Sequence, residues 1–200
     1  MTMQTLALFD FDGTITTRDT FAPYLFKAFG KVRVNLAFAS LAVQALQVCS
    51  GLSTRDRFKE RLLARLFTGA DWARLESAGR DHAIDVTKWY RPGALDRIRW
   101  HRERGHRLIM VSASLDLYLE HIAKKLGFDD LLCTQIECDG ARATGRMKGL
   151  NCRAVEKVTR VEQLLGKPLA DFEVYAYGDS AGDAEMLQQA RHRFYKPFRN

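Results

Sequence analysis

Three stretches far apart in the chain carry side chains able to act on a phosphate ester. Asp10, Asp12 and Thr14 stand within Asp10-Phe11-Asp12-Gly13-Thr14, Ser112 closes the apolar run of residues 108–112, and Asp179 and Asp183 flank Ser180-Ala181-Gly182 just after Gly178. Asp10, Asp12 and Asp179 form an oxygen-rich, sulfur-free set that suits a hard cation, and Mg²⁺ in particular favours a couple of carboxylates, water and a substrate phosphate. Beside such a cation one carboxylate can attack phosphorus and carry the phosphoryl group as an aspartyl-phosphate. Asp12 can protonate the departing alcohol and then activate the hydrolytic water. Two carboxylates this close resist simultaneous ionisation, so one keeps its proton more readily than a free aspartate. Ser112 can donate a hydrogen bond to a phosphate oxygen, and Lys157, with Lys148 as its rival, can neutralise the phosphate and the nucleophile. The small residues Gly13, Ala113 and Gly178 leave backbone N–H groups free to approach the same oxygens.

These side chains meet only if each leaves the end of a strand in one sheet. Residues 5–11, 107–112, 131–136 and 173–177 read as strands, and 192–195 as a short fifth. Helical periods cover 21–29, 34–48 and 57–67, then 94–104, 115–126 and 154–165, with Gly105, Gly127 and Gly166 closing the last three. Residues 138–147, with Gly140 and Gly145, read as a small hairpin or loop excursion. Strands alternating with helices predict an α/β fold built on a doubly wound parallel sheet, whose ligand crevice lies at the carboxyl ends of the strands. Residues 19–90 contain no convincing strand and read as a helical insertion, which Arg91-Pro92-Gly93 closes. The expected division is a core of 1–18 and 91–200 with a helical cap of 19–90.

In order, strand context and spacing, these residues resemble the four motifs of the haloacid dehalogenase-like phosphatase superfamily. Asp10-Phe11-Asp12-Gly13-Thr14 is similar to the first, Ser112 to the second, Lys157 to the third, and Gly178-Asp179-Ser180-Ala181-Gly182-Asp183 to the fourth. The helical insertion resembles the cap of subfamily IB, which includes phosphoserine phosphatases and phosphatidylglycerophosphatase C-like proteins. The resemblance implies Asp10 as nucleophile and Asp12 as general acid and base. It also implies Mg²⁺ on Asp10, Asp179 and the backbone carbonyl of Asp12, with Asp183 orienting the metal's water and Thr14 and Gly178 in support. One departure stands out: phosphoserine phosphatases carry Ser-Gly-Gly in the second motif, where this chain has Ser112-Ala113-Ser114. Their cap also presents an acidic residue, near whose position Asp19 stands, and an arginine, for which Arg57, Arg61 and Arg65 are equal candidates.

Composition narrows the partner. With 31 Lys and Arg against 24 Asp and Glu the chain carries +7, which points to nucleic acid, an anionic membrane surface or a phosphorylated substrate. Arg191, Arg193, Lys196 and Arg199 favour nucleic acid, but no recognition motif or aromatic-basic interleaving accompanies them, so no nucleic-acid partner is expected. Residues 34–48 are apolar around most of their circumference yet too short to span a bilayer, which takes about 20 residues. They read as a central cap helix or as a helix in the membrane interface beside Lys31, Arg33 and the basic run 55–65, a peripheral contact suited to a lipid phosphate. Cys49, Cys133, Cys138 and Cys152 form no C-x-x-C pair and read as reduced thiols; the five histidines show no zinc spacing. The N-terminal residues lack a signal-peptide pattern, so the expected location is cytoplasmic, with a peripheral position at the inner face of a membrane as its extension. The expectation is a Mg²⁺-dependent phosphomonoester hydrolase acting on a phosphorylated metabolite or a lipid phosphate, with a phosphotransferase as the alternative.

Overall fold

A computed structural model describes residues 3–49 and 54–199, with the side chain of Cys49, and so its thiol, outside the described set. The first strand, β1 (Thr5–Phe9), is buried on both faces, as an unbroken apolar run in a parallel sheet must be. Among the described residues five helices follow within the insertion: α1 (Phe21–Phe29), α2 (Lys31–Ser40), α3 (Ala42–Cys49), α4 (Arg55–Phe67) and α5 (Trp72–Val86). Then come α6 (Pro92–Glu103), β2 (Arg107–Leu115), α7 (Asp116–Leu126), β3 (Asp130–Thr134), the antiparallel pair β4 (Ile136–Asp139) and β5 (Arg142–Met147), α8 (Val155–Leu165), β6 (Glu173–Gly178), α9 (Ala184–Gln189) and β7 (His192–Tyr195).

The main sheet has the order β3-β2-β1-β6-β7 and every pair is parallel. From β1 the chain winds outward to β2 and β3 on one side, then returns to lay β6 and β7 on the other. The order therefore reverses at β1, where a doubly wound sheet opens its ligand crevice. Buried side chains of α6 and α7 join the core on one face, and those of α8 and α9 the core on the other. The aromatic ring of Tyr177 lies between Phe9 and Phe194, with centroids 4.3 and 4.7 Å away, and locks β1, β6 and β7 together.

The helices α1, α2, α4 and α5 share the core of the α6–α7 face, whereas no described side chain of α3 enters it. Contact between α5 and α7 is close enough that a Cβ at Gly79 would stand 2.0 Å from the Leu117 carbonyl oxygen. The apolar stretch 34–48 is two helices and not one: the chain breaks at Leu41 (φ −108°, ψ 13°), which is buried with Val34 and Ala37. The strand expected over 131–136 also divides. Its first half pairs with β2, and its second half turns away as β4 into the hairpin. That hairpin joins the loop between α4 and α5, with Gly69 N–H donating to the Ala143 carbonyl and Ala143 N–H to the Ala70 carbonyl, both at 2.9 Å.

Candidate active site

β1, β2 and β6 are neighbours in the sheet, and the chain leaves each of them with polar side chains. Asp10 extends β1 by one residue, its N–H donating to the Tyr177 carbonyl at 2.9 Å. The chain then turns sharply, the Phe11 carbonyl accepting from the N–H groups of Thr14, Ile15 and Thr16. Gly13 holds φ at +77°, and a Cβ there would stand 2.3 Å from Asp179 Oδ2, so the turn and the close approach both demand glycine.

Asp10 is fixed at both oxygens: Thr14 Oγ1 donates to Oδ2 at 3.1 Å and Lys157 Nζ to Oδ1 at 2.7 Å. Lys157 enters from the first turn of α8, after Ala154 at φ 55° bends the chain into the helix. Its ammonium also donates to Asp183 Oδ1 at 2.6 Å and to the Val111 carbonyl at 2.7 Å, so all three protons are engaged in a fully buried place. Burial alone would push this ammonium down, but Asp10 and Asp183 outweigh it and hold the group above its usual value. Burial drives Asp10 up to about 7 against the opposing pull of Lys157. Lys148 lies elsewhere, lining a surface depression with Leu131 and Gln135.

Ser112 and Ser114 stand two residues apart on β2. Ser112 Oγ accepts from the Ser114 N–H at 3.1 Å, which leaves its own proton for an outside acceptor. The register of β2 against β3 shifts between Ser112 and Leu115, and Ala113 falls in that irregularity. Asp12 faces the helices: Thr20 donates to its Oδ1 through N–H and Oγ1, both at 2.7 Å, and Ser114 Oγ donates to its Oδ2. Burial, with the charge of Asp19, pushes Asp12 up to about 6 against those hydrogen bonds.

Asp179 leaves β6 on a loop that Asp183 holds. Oδ2 of Asp183 accepts from the N–H groups of Asp179 and Ser180 at 3.1 and 3.0 Å and from Ser180 Oγ at 2.9 Å. Gly178 permits the fold-back, since a Cβ there would stand 2.5 Å from that of Asp183. Asp183 itself sits below the usual carboxylate value: burial raises it, and Lys157 and these donors more than reverse the effect. Asp10, Asp179 and Asp183 each offer an oxygen within 4.8 Å of the others. The set is anionic and all oxygen. Burial and the charge of Asp183 hold Asp10 and Asp179 above their usual values, a strain that a divalent cation relieves, so these residues fit Mg²⁺. The Asp12 carboxylate is turned to Thr20 and Ser114 instead of towards this cluster.

The crevice, about 480 Å³, also holds residues that the sequence reading passed over. Lys59 of α4 donates to the Ala113 carbonyl and, at 2.8 Å, to Asn151 Oδ1, whose amide donates to Asp56 one turn earlier on the same helix. Arg199 Nη2 meets Asp179 Oδ2 at 2.7 Å. Of the arginines considered for the helical insertion, Arg57, Arg61 and Arg65 are exposed and none lines the crevice; Arg55 and Lys59 do. The helical period could have found them, because 55, 59, 62 and 66 share one face and Leu62 and Leu66 are buried.

A family model described as haloacid dehalogenase-like hydrolase matches residues 7–188. The chain is 34% identical to the protein CicA of Caulobacter vibrioides over 202 residues, covering 97% of this chain and 86% of that one. Among solved structures it resembles a protein of unknown function from Bordetella pertussis, with 27% identity, 94% and 87% of the two chains covered and a TM-score of 0.73. It also shares the fold of a phosphoserine phosphatase solved as a phospho-aspartyl intermediate analogue, at 21% identity, 94% and 84% coverage and a TM-score of 0.64.

Proposed function

The chain belongs to the haloacid dehalogenase-like hydrolase family, and from that premise we propose that it is a Mg²⁺-dependent phosphomonoesterase working through a phospho-aspartyl intermediate on Asp10. The observation that carries this reading is Lys157 Nζ held between Asp10 and Asp183, with Asp179 in reach, at the ends of adjacent parallel strands. A bound Mg²⁺, held by Asp10, Asp179 and the Asp12 carbonyl, supplies positive charge to the phosphoryl oxygens. The Asp10 carboxylate forms the bond to phosphorus as the ester P–O bond breaks, and Asp12 gives its proton to the departing alcohol oxygen. Asp12 then takes a proton from the water that cleaves the aspartyl-phosphate. Ser112 and the backbone around Gly13 and Ala113 hold the phosphoryl oxygens, and Lys157 balances the charge of the nucleophile. Residues 1–18 and 91–200 form the catalytic core, with 19–90 as the cap over it.

The test is release of phosphate from p-nitrophenyl phosphate. Chelation by EDTA is expected to lower the rate about 100-fold or more, and Mg²⁺ to restore it. A rate indifferent to chelation would remove the metal from the reading. Gly13→Ala is expected to drive Asp179 aside and lower kcat/KM about 100-fold, as displacements near 1 Å do. Unchanged kcat/KM in that variant would separate the Asp179 position from the chemistry.

The substrate is a phosphorylated metabolite or a lipid phosphate met in the cytoplasm. One observation favours the lipid: Val32, Leu36, Val43 and Leu46 on α2 and α3 are all more than 60% exposed, and no acidic residue stands between Asp19 and Asp56. No helix among the described residues is long and apolar enough to cross a membrane, so such a contact is interfacial. Co-sedimentation with vesicles of anionic lipid, lost in Leu36→Glu/Leu46→Glu, is the expected result; equal recovery with neutral vesicles would overturn it.

A further inference from the structure

The two cations paired with the carboxylate cluster are held in opposite ways. Lys157 is fully buried and engages all three of its protons, on Asp10, Asp183 and the Val111 carbonyl. Arg199 comes to the cluster from beyond β7. Among the described residues its guanidinium makes one hydrogen bond, from Nη2 to Asp179 Oδ2 at 2.7 Å, and its side chain is 39% exposed. Lys157 is part of the interior, whereas an ion pair as open to water as that of Arg199 is weak and can be given up. The oxygen it takes abuts the turn that follows Asp12, for a Cβ on Gly13 would stand 2.3 Å from Asp179 Oδ2.

Arg199 is carried there by a built strap. After β7 the chain adopts left-handed backbone twice, at Lys196 (φ 51°) and Phe198 (φ 61°), a conformation that non-glycine residues keep only where their surroundings hold them. Three sets of contacts do so. The Lys196 N–H donates to the Gly178 carbonyl at 2.8 Å, the Phe198 ring stacks on Tyr177 at 5.6 Å between centroids and lies against Gly93, and the Phe198 carbonyl accepts from Arg91 Nη1 at 3.4 Å. The strap thus crosses the carboxyl end of β6 and sets a guanidinium on one member of the cluster.

Charge gives that placement its meaning. Asp10, Asp179 and Asp183 bring three formal negative charges, and Lys157 and Arg199 answer two of them. One negative charge is left for a dication while Arg199 stays, and two when it leaves. Of the cations that counter burial at Asp179, Arg199 acts most strongly, ahead of Lys157 and Lys196. A guanidinium and a dication on the same carboxylate repel each other.

We propose that the C-terminal strap guards the metal site: Arg199 holds Asp179 until a divalent cation takes it, and the two compete, so that metal affinity and strap order are coupled. This rests on the reading of Asp10 and Asp179 as metal ligands and adds a residue outside the four motifs that sets how readily the cation loads. The coupling is reciprocal: the factor by which Arg199 weakens cation binding is the factor by which the cation loosens the strap.

Binding would be measured without substrate, Mg²⁺ by calorimetry and Mn²⁺ by electron paramagnetic resonance. Arg199→Gln is expected to tighten Kd about two- to fivefold at low salt, the worth of one partly exposed ion pair, and less as salt rises. Phe198→Ala, which loosens the seat of the strap, should shift Kd in the same direction, and Arg199→Lys should stay near the wild type. Saturating Mg²⁺ should speed amide exchange at Lys196 by a similar factor in the wild type and leave it unmoved in Arg199→Gln. Unchanged affinity in Arg199→Gln would overturn the proposal, and so would weaker binding, which would make Arg199 a support that positions Asp179 for the cation. Loss of binding in Asp179→Asn beside unchanged binding in Arg199→Gln removes the strap alone. Equal binding by Asp179→Asn and wild type, or none by either, removes the ligand assignment and the strap with it.

Discussion

Asp10→Asn is expected to release phosphate from p-nitrophenyl phosphate at least about 10⁴-fold more slowly than the wild type, the scale seen when a nucleophile is removed. The amide keeps the shape of the carboxylate and can still accept from Thr14, so the turn after β1 should stand. What it lacks is the charge and the nucleophilic oxygen. A second readout separates loss of chemistry from loss of fold: acid-quenched wild type should carry one added phosphoryl group on the peptide containing Asp10, and the variant none. Full activity in Asp10→Asn, or a labelled peptide elsewhere, would sink the phospho-aspartyl route. The circular dichroism spectrum should be unchanged.

Lys157→Met is expected to cost both activity and stability. It removes the one cation placed between two buried carboxylates, and breaking a buried pair from one side typically costs about 3–5 kcal/mol. Activity should fall about 10³-fold, since the charge beside the nucleophile is gone. The pH dependence of the stability loss is diagnostic. Burial holds Asp10 up to about 7 even with Lys157 present, and without it the carboxyl must rise further. The unfolded chain releases that proton near 3.8, so between that pH and the folded value the unfolded state binds fewer protons and stability falls as pH rises. Wild type and variant share that fall up to about 7, so the part of the deficit that comes from Asp10 should open only above about 7, where the wild type has released the proton and the variant still holds it, and grow until the variant's own folded value is passed. A deficit independent of pH, read by denaturant unfolding, would show that lost packing and not an unpaired charge is responsible. Lys157→Arg keeps the charge but offers a flat fork where three bonds diverge from one nitrogen, so it should recover stability more than rate.

The candidate cluster was legible because a strand buried on both faces announces itself as an unbroken apolar run, and a polar residue at its end has nowhere to point but the crevice. Asp10, Ser112 and Asp179 follow from that rule alone. Lys157 followed less directly, from its place before the last strand pair, and the rival Lys148 is separated from it only by where the chain turns at Ala154. What stayed hidden depends on how whole elements dock. Residues 34–48 look continuous because nothing in their periodicity marks Leu41, whose burial is decided by helices above and below it. β2 seemed to stop at Ser112, yet it runs on to Leu115, and the extension brings Ser114 onto Asp12. The hairpin of β4 and β5 was visible as a pair of turns, but not that it would lean on α4 and fasten the helical layer to the strand side of the fold. Asn151, likewise, has no meaning in sequence until α4 brings Asp56 and Lys59 to it from opposite directions of its amide.

The central position of β1 has a consequence for when this protein becomes itself. Four of its residues pair with residues 107–110 on one side and all five with 173–177 on the other, and the lysine that holds Asp10 comes nearly 150 residues after it. During synthesis one edge of β1 stays unpaired, and the face covered by α8 and α9 stays open, until the chain as far as β6 has been made. Loop closures of that length are entropically expensive and slow the search for the native state. A chain cut anywhere before β6 owns the aspartate but neither its lysine clamp in place nor its third carboxylate. Catalysis thus reports on complete folding, and regain of activity during refolding should trail the recovery of helical signal, which the local contacts of α1–α5 can supply early.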